Sequence, residues 1–377
     1  MLEIKKVRDK KGRKKFIRLP WKIYKGDENW VPPLLIDEKE TFNKQKYPFF
    51  EHSEADFFLA YKDTEPVGRI AAIKNNNHLE TYNDNLGFFG FFESINDQEV
   101  ANNLFNRAEQ WLSKRGLNKI RGPENYTQNE EVGVLVDNFS RPPAIMMPYN
   151  HEYYLDLYEN YGFTKEKDLL AYVREDAREI PERLEKKVNL IERRYDFNIR
   201  PIDMDNLDEE VDRIVEVYNQ AWSQNWGAVK MTRSEIDHLK EELKYIVVPD
   251  LVLIAEVDDK PVGISVTLPD INQVLINMNG RLFPTGIFKL LWHKLRNWKS
   301  VTFTRTLLLG VLEEYRHMGI DLAFYYYTFK NGLANNFTSG EMSWILKDNK
   351  PMRNALEKIY GLEPYKTYRL YQKDITE

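Results

Sequence analysis

The sequence predicts an α/β (α+β) protein built as two similar halves, each a mixed central sheet flanked by helices. Three observations predict it. The phrase "DTEPVGRIA" at 63–71 returns as "DDKPVGISV" at 258–266, with Pro66 matching Pro261 and Gly68 matching Gly263. Further on, Asn150 and the "YGF" at 161 return as Asn349 and the "YGL" at 360. Self-similarity at about half the chain length indicates a duplicated domain rather than a short-period solenoid. Finally, strand-like and helical runs alternate in the same order in both halves, the signature of helices packed on a sheet.

The elements follow in chain order. Residues 1–18 hold nine Lys or Arg against Glu3 and Asp9, and "DKKG" between Ile4/Val7 and Phe16/Ile17 predicts a solvated basic hairpin. The runs "ADFFLAYKDTEPVGRIAAI" and "PDLVLIAEVDDKPVGISVTL" are each two β-rich segments around an Asp/Pro turn, hence two hairpins. After the first come a strand ("NLGFFGFFES"), a long helix ("DQEVANNLFNRAEQWLSKRG") and a strand ("LNKIRGP"). A long polar link at 122–150, a helix opened by Asn150 and a strand ("DLLAYVRE") complete the first half. After the second hairpin the counterparts are "SVTFTRTLLLGVLEE", "GIDLAFYYYTFKNGLANN", "GEMSWIL", a helix opened by Asn349 and "TYRLYQK". Between the halves the charged stretch 174–200 places Leu184, Val188 and Ile191 at helical spacing. The division expected is therefore a first domain at 1–174, a linking helix and strand at 175–200 and a second domain at 201–377.

The totals narrow the function. With 42% hydrophobic and 13% aromatic residues, 377 residues build real cores and exclude wholesale disorder. The absence of cysteine removes disulfides, thiolate metal sites and cysteine nucleophiles, and fits a reducing compartment. Six histidines (52, 78, 151, 238, 293, 317) show no paired ligand spacing, so no metal is expected. No apolar run has signal-peptide or membrane-span length, so the expected location is cytoplasmic with no membrane partner. The net charge of −5 makes nucleic acid an unexpected partner despite the basic start.

One stretch carries chemistry. "LLLGVLEEYRHMGIDLAFYYY" at 307–327 runs from a strand through a short polar loop into a helix. Such a turn offers unpaired backbone N–H groups and a helix dipole to an anion, with Gly319 supplying backbone freedom. In loop pattern and element order the second half resembles the GNAT superfamily of acyl-CoA-dependent N-acyltransferases, and the resemblance extends over both halves. The family pattern [Q/R]-x-x-G-x-[G/A] is met by Arg316 and Gly319, with Asp321 at the last small position.

The resemblance implies that Val311, Arg316, His317, Met318, Gly319, Ile320 and Asp321 hold the pyrophosphate end of acetyl-CoA or another acyl-CoA, with Asn349 meeting its pantetheine arm or capping a helix. It implies Glu313 as general base, with a solvated strand-end acid as the alternative; the family's Tyr position reads Tyr158 in the first half but Glu357 in the second, so the second half lacks the expected acid and Tyr360, nearby but on a different face of the helix, is the substitute candidate. The equivalent first-half loop, "FFESINDQEVANNLF", lacks Arg and Gly and carries Asp97 and Glu99, so that half is expected not to bind coenzyme A. Trp222, Asn225 and Trp226, with Asn125 and Asn129 from the long link, are the candidates to wall the acceptor site. Core packing is the alternative for the two Trp. The function implied is transfer of an acyl group, in the first instance acetyl, to a small-molecule or peptide amine. The alternatives are a Fem-like aminoacyl transferase using aminoacyl-tRNA and a non-catalytic binding protein of the same fold.

Overall fold

The computed structural model describes residues 1–222, 225–282, 298 and 300–375; His293 lies outside them. Their strands join one mixed sheet. In chain order these are β1 (Leu2–Lys6), β2 (Glu54–Lys62), β3 (Glu65–Lys74), β4 (Leu86–Ser94), β5 (Lys119–Gly122), β6 (Val134–Leu135) and β7 (Thr164–Arg174). The second half adds β8 (Asn198–Pro201), β9 (Val252–Val257), β10 (Lys260–Pro269), β11 (Phe303–Val311), β12 (Ser339–Leu346) and β13 (Pro364–Asp374). Their spatial order is β1-β2-β3-β4-β5-β13-β7-β12-β11-β10-β9-β8, with β6 beside β13. The two halves therefore exchange their last strands: β13 pairs with β5 of the first half, β7 pairs with β12 of the second, and β13 and β7 pair with each other. The sheet crosses the boundary read at residue 174 without a break.

The repeated phrase is explained by packing. Both hairpins turn on aspartates with positive φ, Asp63 in one and Asp258 and Asp259 in the other, as tight hairpin turns demand. A Cβ on Gly68 would lie 2.8 Å from Leu104 Cδ1, and one on Gly263 would lie 2.9 Å from Phe324 Cε2. Each glycine lets the long helix of its half, Gln98–Ser113 or Ile320–Ala334, rest directly on the sheet. In the first of these, Asp97 caps the start by accepting from Val100 N, and Val100, Leu104, Ala108 and Trp111 form the buried stripe.

Two expectations are corrected. Residues 1–18 form no hairpin: β1 is followed by the helix Lys10–Arg18, because Asp9 accepts a hydrogen bond from Gly12 N at 2.6 Å and caps it. Its lysines face water while Phe16 and Ile17 are buried. Asn150 opens no helix either. Its amide accepts from Leu135 N at 2.7 Å and donates to Leu135 O at 3.2 Å, serving as a partner for β6, and the helix starts only at Tyr154. Between the halves, the helix Glu182–Arg194 buries Leu184 and Val188 against Ala323 and Tyr326 of the helix Ile320–Ala334. No helix among the described residues is long and apolar enough to cross a membrane.

Candidate functional site

The two halves differ most where their central parallel strands part. In the second half, β11 and β12 pair from Phe303/Ser339 to Thr306/Met342 and no further, although both strands continue. Leu307 is an extra residue on β11, since Thr306 pairs with Thr267 and Leu308 with Val266, and a bulge of this kind bends a strand away from its neighbour. Beyond it, the edge of β11 that faces β12 has lost its ladder partner. A cavity lies between these strands and the helix Ile320–Ala334, reaching from the paired segment at Thr304, Thr306, Gly340 and Met342 to Leu309 beyond it, and walled also by Tyr325, Phe329, Leu333 and Tyr360. It offers about 100 Å³ to the centres of water-sized groups, several times the roughly 10–15 Å³ that one water occupies.

In the first half the same slot is shut. β4 and β5 pair from Leu86/Lys119 to Phe88/Arg121, and the ladder continues with Glu124 N donating to Phe89 O at 2.8 Å. A Cβ on Gly90 would sit 2.2 Å from Glu124 O, so the chain itself fills the gap. Asn125 Oδ1 accepts from Phe91 N at 2.8 Å, where φ is +50°. Behind it, Phe89, Phe92, Phe105, Tyr154 and Tyr158 form a closed aromatic core.

The turn after β11 is open to solvent at Arg316 and His317, whereas Met318 and Ile320 are buried. Arg316 Nε donates to Val311 O at 3.1 Å, which folds the side chain back over the strand end. Its two terminal NH2 groups have no partner among the described residues. Gly319 has φ +73° and precedes the first turn of the helix, where the early N–H groups lack intrahelical acceptors. Ile191 Cδ1 stands 2.8 Å from where a Gly319 Cβ would be. That contact sets the last turn of the linking helix, which carries Arg193 and Arg194 in sequence, against the turn. Asp321 is exposed at its tip. Desolvation raises its carboxyl above the usual range, while its own N–H and that of Leu322 oppose the shift.

Of the proposed catalytic pair, Tyr360 lines the cavity. Its hydroxyl is buried without a hydrogen-bond partner among the described residues, its ring meets Tyr325 edge-on at 5.4 Å, and burial, then Tyr325 and Asp321, hold its pKa above the ordinary tyrosine value. Glu357, at the family's Tyr position, accepts from Tyr172 OH at 2.6 Å and pairs with Arg353. Glu313 begins the 3-10 turn Glu313–Met318 and is exposed. Asn349 caps a short helix by accepting from Met352 N at 3.3 Å.

The acceptor candidates separate. Trp222 lies flat on β11: a Cβ on Gly310 would meet its ring at 2.3 Å, and Tyr218 stacks on it at 5.1 Å. Because Leu309 faces the cavity and strand residues alternate, Trp222 covers the opposite face of the same strand. Asn129 joins the halves, accepting from Tyr218 OH at 2.6 Å and donating to Val229 O. Trp226 packs under Arg121 of β5 at 4.5 Å. Asn225 is a turn residue bonded to Trp222 O and Ala228 N. Asn125 belongs to the closed first-half slot and does not join the others.

Sequence patterns gave no sign of two carboxylates of the first half. Glu93 accepts from Tyr154 OH at 2.6 Å and Tyr24 OH at 2.9 Å and lies 3.7 Å from Arg69. Burial raises its pKa despite Arg69, and burial raises Glu131 beside it. Neither residue lies in a recognisable motif: Glu93 is on β4, whereas Glu131 is on the long link, where Asn125 donates to it.

This architecture, one mixed sheet made of two similar halves with one splayed strand pair followed by a turn into a helix, is a GNAT-like fold in tandem form. Among solved structures it matches a tandem GNAT protein from the clavulanic acid biosynthesis pathway over 100% of this chain and 99% of that one, at TM-score 0.56 and 11% identity. A GCN5-related N-acetyltransferase from Sphaerobacter thermophilus matches over 100% and 96%, at TM-score 0.53 and 14% identity. No family model matches the chain. Among curated proteins it is 37% identical over 374 residues to Protein YghO of Escherichia coli K12, covering 97% of this chain and 94% of that one. It is 35% identical over 367 residues to the bacterial ceramide synthase of Caulobacter vibrioides, covering 96% and 94%. The chain belongs to the family of these two proteins.

Proposed function

We propose that this chain is an acyl-CoA-dependent N-acyltransferase whose second half holds the donor and whose first half is structural. The observation that carries the reading is the pairing of a parted strand edge with a free acid: β11 and β12 part beside an apolar cavity, and Tyr360, whose buried hydroxyl has no partner among the described residues, lines it. Arg316, His317 and the first amides of the helix would bind the pyrophosphate, and the unpaired edge of β11 would align the pantetheine. The acceptor nitrogen forms its bond to the thioester carbon as the C–S bond breaks. Tyr360 Oη gives its proton to the departing sulfur, and the amine proton leaves to solvent or a base.

The cavity is larger than an acetyl group needs, and one relative is named a ceramide synthase. Both support a longer acyl group and, as acceptor, the amine of a long-chain base. The test is to incubate the purified chain with acyl-CoA and a long-chain amino alcohol, following free thiol and identifying the amide by mass spectrometry. The chain has no cysteine, so every thiol released comes from the donor. Amide formed in proportion to thiol supports the reading; absence of both with every acyl-CoA in a folded sample refutes it.

A further inference from the structure

The helix Ile320–Ala334 carries a glycine, Gly332, that its backbone does not require. Glycine inside a helix costs roughly 0.5–1 kcal/mol relative to alanine, so it needs a cause. A left-handed conformation is not the cause. The left-handed residue that closes this helix is Asn336 at φ +67°, and Phe337 N donates to Gly332 O at 2.9 Å, the usual closure of a helix C-terminus. Crowding is not the cause either. The nearest atom among the described residues to a Gly332 Cβ is Phe337 O at 3.9 Å, whereas at Gly263, Gly310 and Gly340 the corresponding gaps are 2.9, 2.3 and 2.8 Å. Gly332 is buried, yet among the described residues nothing stands within 3.9 Å of where its Cβ would be, and it lines the apolar cavity with Phe337.

We propose that Gly332 sets the length of acyl chain the protein accepts, by leaving open the part of the cavity farther along the helix from Tyr360. The inference rests on reading that cavity as the donor's acyl site. Tyr325, in contact with Tyr360, and Gly332 both line it and are seven residues apart on one helix, a span of about 10 Å at the helical rise. An acetyl group bonded near Tyr360 would leave that length empty. A methylene chain running along it would meet Leu309, Phe329, Met342 and Phe337, and of the two glycines in its wall Gly332, unlike Gly340, has room for a side chain among the described residues.

The test uses the full chain and isothermal titration with acetyl-, octanoyl-, lauroyl- and palmitoyl-CoA, and separately with the corresponding free acids. At about 0.8 kcal/mol per buried methylene, each carbon expelled lowers affinity about fourfold. Affinity of the native chain should rise with acyl length. Gly332→Leu should shorten the preferred chain by two carbons or more, weaken palmitoyl-CoA more than tenfold and leave acetyl-CoA within about twofold. Gly332→Ala, which adds helix propensity and one carbon, should fold at least as well and shift the preference in the same direction by less. Variants that keep the native length profile would overturn the inference while the acyl-CoA reading stands. Free acids that follow the profile with no thioester binding would overturn the acyl-CoA reading and leave the role of Gly332 intact. A native chain indifferent to acyl length would overturn both.

Discussion

Replacing Tyr360, which lines the cavity, with Phe removes a hydroxyl that is buried and unpartnered among the described residues. A buried hydroxyl without a partner costs about 1–3 kcal/mol. Part of that is relieved here by the cavity, so the Phe variant should be as stable as the native chain or up to about 1 kcal/mol more stable. Tyr325 keeps its edge-on ring partner, because Phe preserves the ring. If the same hydroxyl protonates the leaving thiolate, turnover should fall about 100-fold or more, the scale of a lost general acid. The two readouts move in opposite directions, which a structural tyrosine would not produce. Calorimetric melting and thiol release from acyl-CoA measure them on one preparation. A Phe variant that keeps full turnover, or that loses more than about 1 kcal/mol, would refute the argument.

Other outcomes follow from the same geometry. Gly310→Ala drives a methyl into the Trp222 ring, and overpacking against a rigid indole should destabilise by about 1–3 kcal/mol and alter Trp fluorescence; an unchanged melt and spectrum would remove Trp222 from the face of β11. Asp270 is buried and its pKa is raised to about 7 from 3.8, chiefly by desolvation, while it accepts from Ile145 N and Asn272 N. The folded state thus binds the proton more tightly than the unfolded one, so the group lowers stability as pH rises from about 4 to 7, by at most roughly 4 kcal/mol. Asp270→Asn keeps both acceptor bonds and should raise the melting temperature at pH 8 but not at pH 4; an equal effect at both would refute the assignment.

How much was legible in the sequence depends on how local the signal was. Pro66/Pro261 and Gly68/Gly263 announced two hairpins because turn and close-packing requirements are written in adjacent residues. The turn at Arg316–Gly319 was legible for the same reason. The exchange of β7 and β13 was not, since either strand satisfies a hydrophobic pattern equally well beside its own half or the other. Residues 1–18 misled because "DKKG" serves a turn or a cap, and Asp9 chose the cap. Within the site, the distance to a helix-ending glycine points to Glu357, and it takes the structure to show that Tyr360 lines the cavity. Glu93, Gly332 and the last turn of the linking helix carry no pattern of their own and acquire meaning only through neighbours distant in the chain. Gly319 shows the limit from the other side. The sequence marks it as the residue for close phosphate approach, but Ile191 and a φ of +73° mean that a bulky substitution there would strain the backbone and strike the linking helix as well.

The central claim is that only the second half receives the acyl donor, and it is tested most directly by hydrogen exchange across the whole chain with and without saturating acyl-CoA, alongside calorimetric stoichiometry. The account predicts one equivalent bound per chain, with protection concentrated in 307–325 and at 182–194. Two equivalents, or protection centred on 89–105, would contradict it.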